Sequence, residues 1–355
     1  MSDPGLRARP PRALRHVAGI DDLRRIAQRR LPRMVFDYID GAAGDEATAR
    51  RNRAGFDRWS LKPDVLVDLS RRDTAVILFG QRAALPIVIG PTGLNGAYWA
   101  RGDLCLARAA ATVGVPFVMS TAATVRLDDL VAVAGPQRWF QLYMLKDRGL
   151  AASLLDRVAQ AGFDVLQLTV DTAVSARRLR DVRNGFTLPF RWSLANLIDT
   201  ARRPRWAWQM LATGTPTLRL FAEVIGEVPR GSTITEVMQQ QISESMTWAD
   251  LQWLRDHWKG SLVLKGITDP AQVRRARAAG VDGVVVSNHG GRQLDGAGAT
   301  IEALPAVVEA AAGELTVLID SGFRHGADVA KAIALGADAV QLGRPTLFGL
   351  AAAGQ

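Results

Sequence analysis

At 355 residues, 48% of them hydrophobic, the chain can bury a large core as one barrel or two domains. Its single cysteine, Cys105, excludes an internal disulfide framework and any multi-cysteine zinc or iron–sulfur site. The formal charge of +9 favours anionic partners, but without zinc-finger spacing or a basic zipper nucleic acid is not expected, and neither is a metal.

Residues 1–15 are rich in Arg and Pro and read as a flexible basic tail, with no hydrophobic run of the kind a secretory signal carries. Residues 16–355 are read as one domain. A short β segment near 74–80 precedes the main repeat and suits a hairpin that plugs one end of it. Apolar, β-branched segments then recur at 86–93, 116–121, 139–143, 165–171, 262–266, 283–290, 316–322 and 339–344. Between them, stretches of helical spacing fall at 103–113, 149–161, 270–279, 301–312 and 326–335. Near-continuous apolar strands alternating with helices imply a parallel sheet covered on both faces. Eight of them favour a closed (β/α)8 TIM barrel over an open sheet, with the chemistry on the loops that follow the strands.

Those loops carry polar groups all round the predicted rim. In order they hold Thr92 and Gly93; Ser120 and Ala122; Gln141 and Tyr143; Thr169 and Asp171; Lys265; Ser287 to Asp295; Asp320 to Arg324; and Gly343 with Arg344. The sixth reads Ser-Asn-His-Gly-Gly-Arg-Gln-Leu-Asp. His289 can move a proton near neutral pH, and Arg292, three residues on, can grip a carboxylate through two parallel hydrogen bonds. Loops seven and eight form the usual phosphate pocket of a barrel, where Gly322 and Gly343 free backbone N–H groups and Arg324 and Arg344 add charge. A phosphorylated cofactor is therefore expected.

The nonapeptide resembles the signature of the FMN-dependent α-hydroxy-acid dehydrogenase/oxidase family, as do Gln141-Leu142-Tyr143, Thr169-Val170-Asp171, Lys265-Gly266 and Asp320 to Arg324. Met34 to Tyr38 resembles the family's amino-terminal helix, and the likeness runs from about Asp21 to the last residue. Ile89 to Gly96 and Leu318 to Arg324 resemble most the membrane-bound mandelate-oxidising branch. Arg203 to Trp208 resembles both that branch and the respiratory lactate-oxidising one. The resemblance implies FMN as cofactor and oxidation of an (S)-2-hydroxy acid, mandelate-like or lactate, to the 2-oxo acid. A membrane quinone or similar acceptor would take the electrons, and a homo-oligomer, a tetramer in the family, is implied. It makes His289 the base and Asp171 its orienting carboxylate. Arg292, Arg178 and Tyr38 would hold the substrate carboxylate, with Tyr143 near the substrate hydroxyl. Lys265 would sit by the electron-rich edge of the flavin. Thr92, Ser120, Gln141, Thr169 and Ser287 would contact ring or ribityl, and Asp320, Gly322, Arg324, Gly343 and Arg344 ribityl and phosphate. Whether the α-hydrogen leaves as a proton or as a hydride stays open, as does a peroxide-forming oxidase or a non-catalytic barrel that binds a phosphorylated ligand.

Ala122 stands where the glycolate-oxidising branch has a tryptophan, so acids larger than glycolate should fit. Residues 184–245 interrupt the alternation with tryptophans and arginines and no apolar run of about 18 residues. They read as a lid over the site or as a membrane-contact segment, the second placing the protein peripherally on the cytoplasmic face of the membrane. The segment 347–353 reads as a turn, and the sequence stops soon after it where members of the family continue with another helix, so the final barrel helix is expected to be missing.

Overall fold

A computed structural model describes residues 14–174, 176–187, 189–190, 192–226 and 234–355. The Arg- and Pro-rich tail expected at 1–15 lies almost wholly outside them, and so does part of the 184–245 insertion.

An antiparallel hairpin of β1 (Val76–Leu78) and β2 (Gln81–Ala83) precedes eight parallel strands: β3 (Ile87–Ile89), β4 (Phe117–Ser120), β5 (Arg138–Leu142), β6 (Val165–Thr169), β7 (Ser261–Ile267), β8 (Gly283–Val286), β9 (Thr316–Ile319) and β10 (Ala339–Leu342). They close in sequence order, with β10 pairing back onto β3 at Val340 and Ile87. Every predicted strand is present, and the polar groups fall on its last residues or just beyond them. Strand interiors are buried throughout, as expected for sheet covered on both faces. Val88, Val118, Trp139, Val165, Val263, Val285, Leu318 and Ala339 share one cluster inside the barrel. The hairpin caps its amino-terminal end: Phe79 meets Trp139 edge-on at 5.3 Å.

The helices Gly102–Val113, Arg148–Gln160, Pro270–Ala278, Thr300–Ala311 and Gly326–Ala334 fall where helical spacing put them. The turn expected at 347–353 is corrected: Arg344–Ala353 is a ten-residue helix. It packs on the amino-terminal helix Ile20–Arg30, and its buried Leu347, Phe348 and Leu350 provide the apolar face that holds it helical despite Gly349. The chain reaches the rim from the other side through helices Arg33–Asp40 and Ala47–Ala54.

Candidate active site at the carboxyl end of the barrel

A cavity of about 650 Å³ opens at the carboxyl ends of the strands. Tyr38, Thr92, Ser120, Ala122, Tyr143, Arg178, Lys265, His289, Arg292, Asp320, Gly322, Arg324, Gly343 and Arg344 all line it. Asp171, Gln141, Thr169 and Ser287 stand behind that lining, each bonded to a residue of it or to one another.

β8 ends at Val286 and the chain turns at once through a short 3-10 turn, His289–Gly291. His289 adopts a φ of +59°, a left-handed conformation costly for a side-chain-bearing residue. The turn is held by side chains: Ser287 Oγ accepts from the His289 N–H at 3.0 Å, Asn288 Oδ1 from Gly291 N–H at 3.1 Å and Ser321 Oγ from Gly290 N–H at 2.9 Å. The imidazole meets Asp171 through Nδ1 to Oδ1 at 3.1 Å. Room for that carboxylate comes from Gly266, whose φ is +110° and where a Cβ would lie 2.7 Å from Asp171 Cβ. The same glycine sits at the register shift between Lys265 and Ile267 in the β7–β8 pairing. Burial would raise the Asp171 pKa, but His289 and then Lys265 outweigh it and hold the carboxylate below its usual range. Its Oδ2 is buried without a hydrogen-bond partner among the described residues, so its charge is directed at the imidazole.

Lys265 is buried and bridges Asp320 at 3.0 Å and Ser287 Oγ at 2.8 Å. Burial pulls its pKa down; Asp320 and Asp171 more than reverse that, keeping the ammonium charged. A buried relay runs from Ser120 Oγ to Gln141 Oε1 at 3.0 Å and from Gln141 Nε2 to Thr169 Oγ1 at 2.9 Å. It orients the polar floor of the cavity between β4, β5 and β6.

On the opposite wall Arg292 Nη1 donates to the carbonyls of Tyr38 and Gly41 at 2.7 and 2.9 Å. Its guanidinium lies 4.9 Å over the Tyr38 ring and that of Arg178 lies 5.4 Å from it. Among the described residues only Arg178 of the pair has an acidic partner, Asp181 at 3.4 Å. Burial and the Arg178 charge draw the Arg292 pKa down. Two guanidiniums around one phenol form an anion clamp.

The phosphate end shows the same imbalance. Among the described residues neither Arg324 nor Arg344 forms an ion pair with a carboxylate; Arg324 donates to the Phe323 carbonyl at 2.7 Å and Arg344 to that of Gly290. Burial first, then Arg292 and Arg324, pulls Arg344 down to about 9. A buried cation surrounded by like charge calls for an anion. Gly322, at φ +85°, lets the backbone pass where a Cβ would lie 2.3 Å from the Asn52 carbonyl. The pocket fits the phosphate of FMN.

Several lining residues carried no recognisable sequence signal: Tyr98, Asp181, Phe186, Leu218, Met238 and Gln341. Phe186, Leu218 and Met238 come from the insertion at 184–245 and contribute to the cavity wall. The membrane-contact alternative is also represented in it. Phe190 and Trp206 are buried, but Trp192 is exposed, and the helices Leu194–Ala201 and Pro204–Thr213 turn Leu194, Leu197, Trp208 and Leu211 outward, Trp208 and Leu211 being 71% and 81% exposed. No helix among the described residues is long and apolar enough to cross a membrane. His257 pairs with Asp156 away from the cavity, and His16 and His325 do not line it.

A model of the FMN-dependent dehydrogenase family matches residues 27–355. The chain is 44% identical to (S)-mandelate dehydrogenase of Pseudomonas putida over 336 residues, 95% of this chain and 84% of that one. It is equally 44% identical to an L-lactate dehydrogenase of Caulobacter sp. strain K31 over 339 residues, 95% and 89% of the two. A crystal structure of the monotopic membrane protein (S)-mandelate dehydrogenase superposes with a TM-score of 0.90 at 43% identity, covering 96% of this chain and 90% of that one. A mandelate oxidase mutant with (S)-mandelic acid superposes at 0.79 with 37% identity over 95% and 88%.

Proposed function

The chain belongs to the FMN-dependent dehydrogenase family, and from that membership and the charge pattern of its cavity we propose that it oxidises an (S)-2-hydroxy acid, mandelate-like or lactate, to the 2-oxo acid. The observation that carries this reading is the His289–Asp171 pair facing two guanidiniums across one cavity. FMN, when bound, supplies the two-electron acceptor. Arg324 and Arg344, with the backbone at Gly322 and Gly343, would hold its phosphate, Asp320 its ribityl chain, and Thr92, Ser120, Gln141, Thr169, Lys265 and Ser287 would line its ring. Lys265 keeps a fixed positive charge there because Asp320 and Asp171 hold it protonated.

Arg292, Arg178 and Tyr38 bind the substrate carboxylate, and Tyr143 donates to the substrate hydroxyl; burial raises the phenol's pKa and keeps it a donor. His289 takes the proton at Nε2, since Nδ1 is committed to Asp171. The resulting imidazolium is stabilised by a carboxylate already ionised. Anaerobic addition of (S)-mandelate or L-lactate to the yellow holoprotein is expected to bleach its flavin band. Absence of bleaching by any 2-hydroxy acid would overturn the proposal. Subsequent air then separates the acceptors: little peroxide is expected from a dehydrogenase, abundant peroxide from an oxidase.

The outward tryptophans and leucines, flanked by exposed Arg202 and Arg205, suit the headgroup region of an anionic membrane. The protein sits peripherally on the cytoplasmic face and passes electrons to a quinone. Trp208→Glu with Leu211→Glu is expected to move the protein to the soluble fraction while dye-linked activity is kept; unchanged sedimentation with membranes is the contrary result. A homo-oligomer is proposed too, the exposed apolar run Val65, Leu66, Val67 and Leu69 being the surface a second subunit would cover.

A further inference from the structure

All three tyrosines of the chain line the cavity, and the proposed chemistry uses only Tyr38 and Tyr143. Tyr98 is the third. It is 1% exposed, its ring belongs to the hydrophobic core, and its hydroxyl lies 3.3 Å from the carbonyl of Gly93, a long bond that leaves the oxygen's own lone pairs unspent. Burial first, then Tyr38, holds its pKa well above the usual phenol range; the neighbouring Arg292 and Arg178 oppose this. The phenol end of the ring therefore lies at Gly93, within reach of the charges of the carboxylate clamp.

Gly93 in turn abuts Ala122: a Cβ there would meet the Ala122 methyl at 2.9 Å, and Leu94 N–H donates to the Ala122 carbonyl at 3.1 Å. Two of the smallest residues thus form the wall on which substrate side-chain size would depend, with Tyr98 set against it. The turn that carries Tyr98 is fixed on three sides. Asn95 Nδ2 bonds the buried Asp103 at 2.8 Å, and Gly96 N–H bonds Thr124 Oγ1 at 3.0 Å. From the insertion, Trp206 Nε1 donates to the Ala97 carbonyl at 2.8 Å. With the backbone of the turn fixed and the ring packed in the core, Tyr98 has little room to swing aside for a larger ligand.

We propose that Tyr98 is a specificity-determining residue whose ring closes the space left open at Gly93 and Ala122, so that the site favours 2-hydroxy acids with short aliphatic side chains over aryl ones. This rests on the 2-hydroxy-acid reading above and narrows it.

The test begins with the unaltered holoprotein and anaerobic flavin bleaching by a homologous set: L-lactate, (S)-2-hydroxybutanoate, (S)-2-hydroxyhexanoate and (S)-mandelate. The second-order bleaching rate is expected to fall with side-chain size, by about tenfold or more from lactate to mandelate. Tyr98→Leu is expected to reverse that ratio by a similar factor, with the flavin spectrum and FMN dissociation constant unchanged. Tyr98→Phe, which keeps the ring, is expected to keep the ratio, and it maintains the core packing should the leucine variant fold poorly. Preference for mandelate in the unaltered protein overturns the proposal, and so does an unchanged ratio in Tyr98→Leu or a mandelate preference created by Tyr98→Phe. Failure of the underlying reading looks different, because none of the acids would then bleach the flavin.

Discussion

Replacing His289 by Gln is expected to leave the protein yellow and to lower the rate of anaerobic bleaching by about 10²- to 10⁴-fold, the range over which a positioned general base acts. FMN should stay bound because the proposed assignment puts His289 at the substrate, while the arginines proposed for the phosphate follow β9 and β10. The backbone strain at φ +59° is common to both side chains, so the comparison isolates the imidazole. Rapid-reaction absorbance under anaerobic conditions checks it; a bleaching rate within a few-fold of the unaltered protein would remove His289 from the role of base. Asp171→Asn should fall between the two, since it keeps a hydrogen-bond acceptor for Nδ1 and loses the charge that stabilises imidazolium. Asp171 also bears on stability. Its folded pKa lies below the ordinary 3.8, so its contribution is present above that pH and is lost as pH falls through the lower, folded value.

Arg344→Met is expected to act in opposite directions on the empty and the loaded protein. Without FMN, the guanidinium is a buried cation without a carboxylate partner among the described residues, drawn down to about 9. An apolar chain of similar length there removes that desolvation cost and should raise the thermal midpoint of the apoprotein. With FMN, the variant loses a charge-assisted contact worth about 1.5–3 kcal/mol, so the FMN dissociation constant should rise by about 10- to 150-fold. Thermal unfolding of apoprotein and holoprotein, together with FMN titration by fluorescence, reads both signs. A variant that destabilises the apoprotein and binds FMN unchanged would place the phosphate elsewhere.

The barrel was readable from sequence because parallel strands buried on both faces are near-continuous apolar runs, and each announces its end with a polar residue. His289, Arg292, Asp320 and Arg344 could be placed at the rim for the same reason, since they follow strands, and Lys265 because it lies near the end of one. Tyr98 could not, because it sits in a turn aimed by Asp103, Thr124 and Trp206, partners spread over 100 residues of chain. The Arg344–Ala353 helix was misread from its own composition, with glycines at 343, 349 and 354; what makes it a helix is the amino-terminal helix it packs on, more than 300 residues away in the chain. The insertion was read as lid or membrane segment, and its burial pattern has room for both: Trp206 and Leu218 point inward, Trp208 and Leu211 outward.

The nonapeptide also binds the two ends of the polypeptide together. Asp295 accepts from the N–H groups of Asp45 and Thr48 at 2.9 and 2.8 Å, and Arg292 from the same loop reaches the Gly41 carbonyl, each across a separation of about 250 residues. The carboxylate clamp is therefore assembled only when the start of the polypeptide docks on a nearly finished scaffold. Closure over such distance is entropically slow, so during synthesis or refolding the grip on an acid should be among the last capacities the molecule gains.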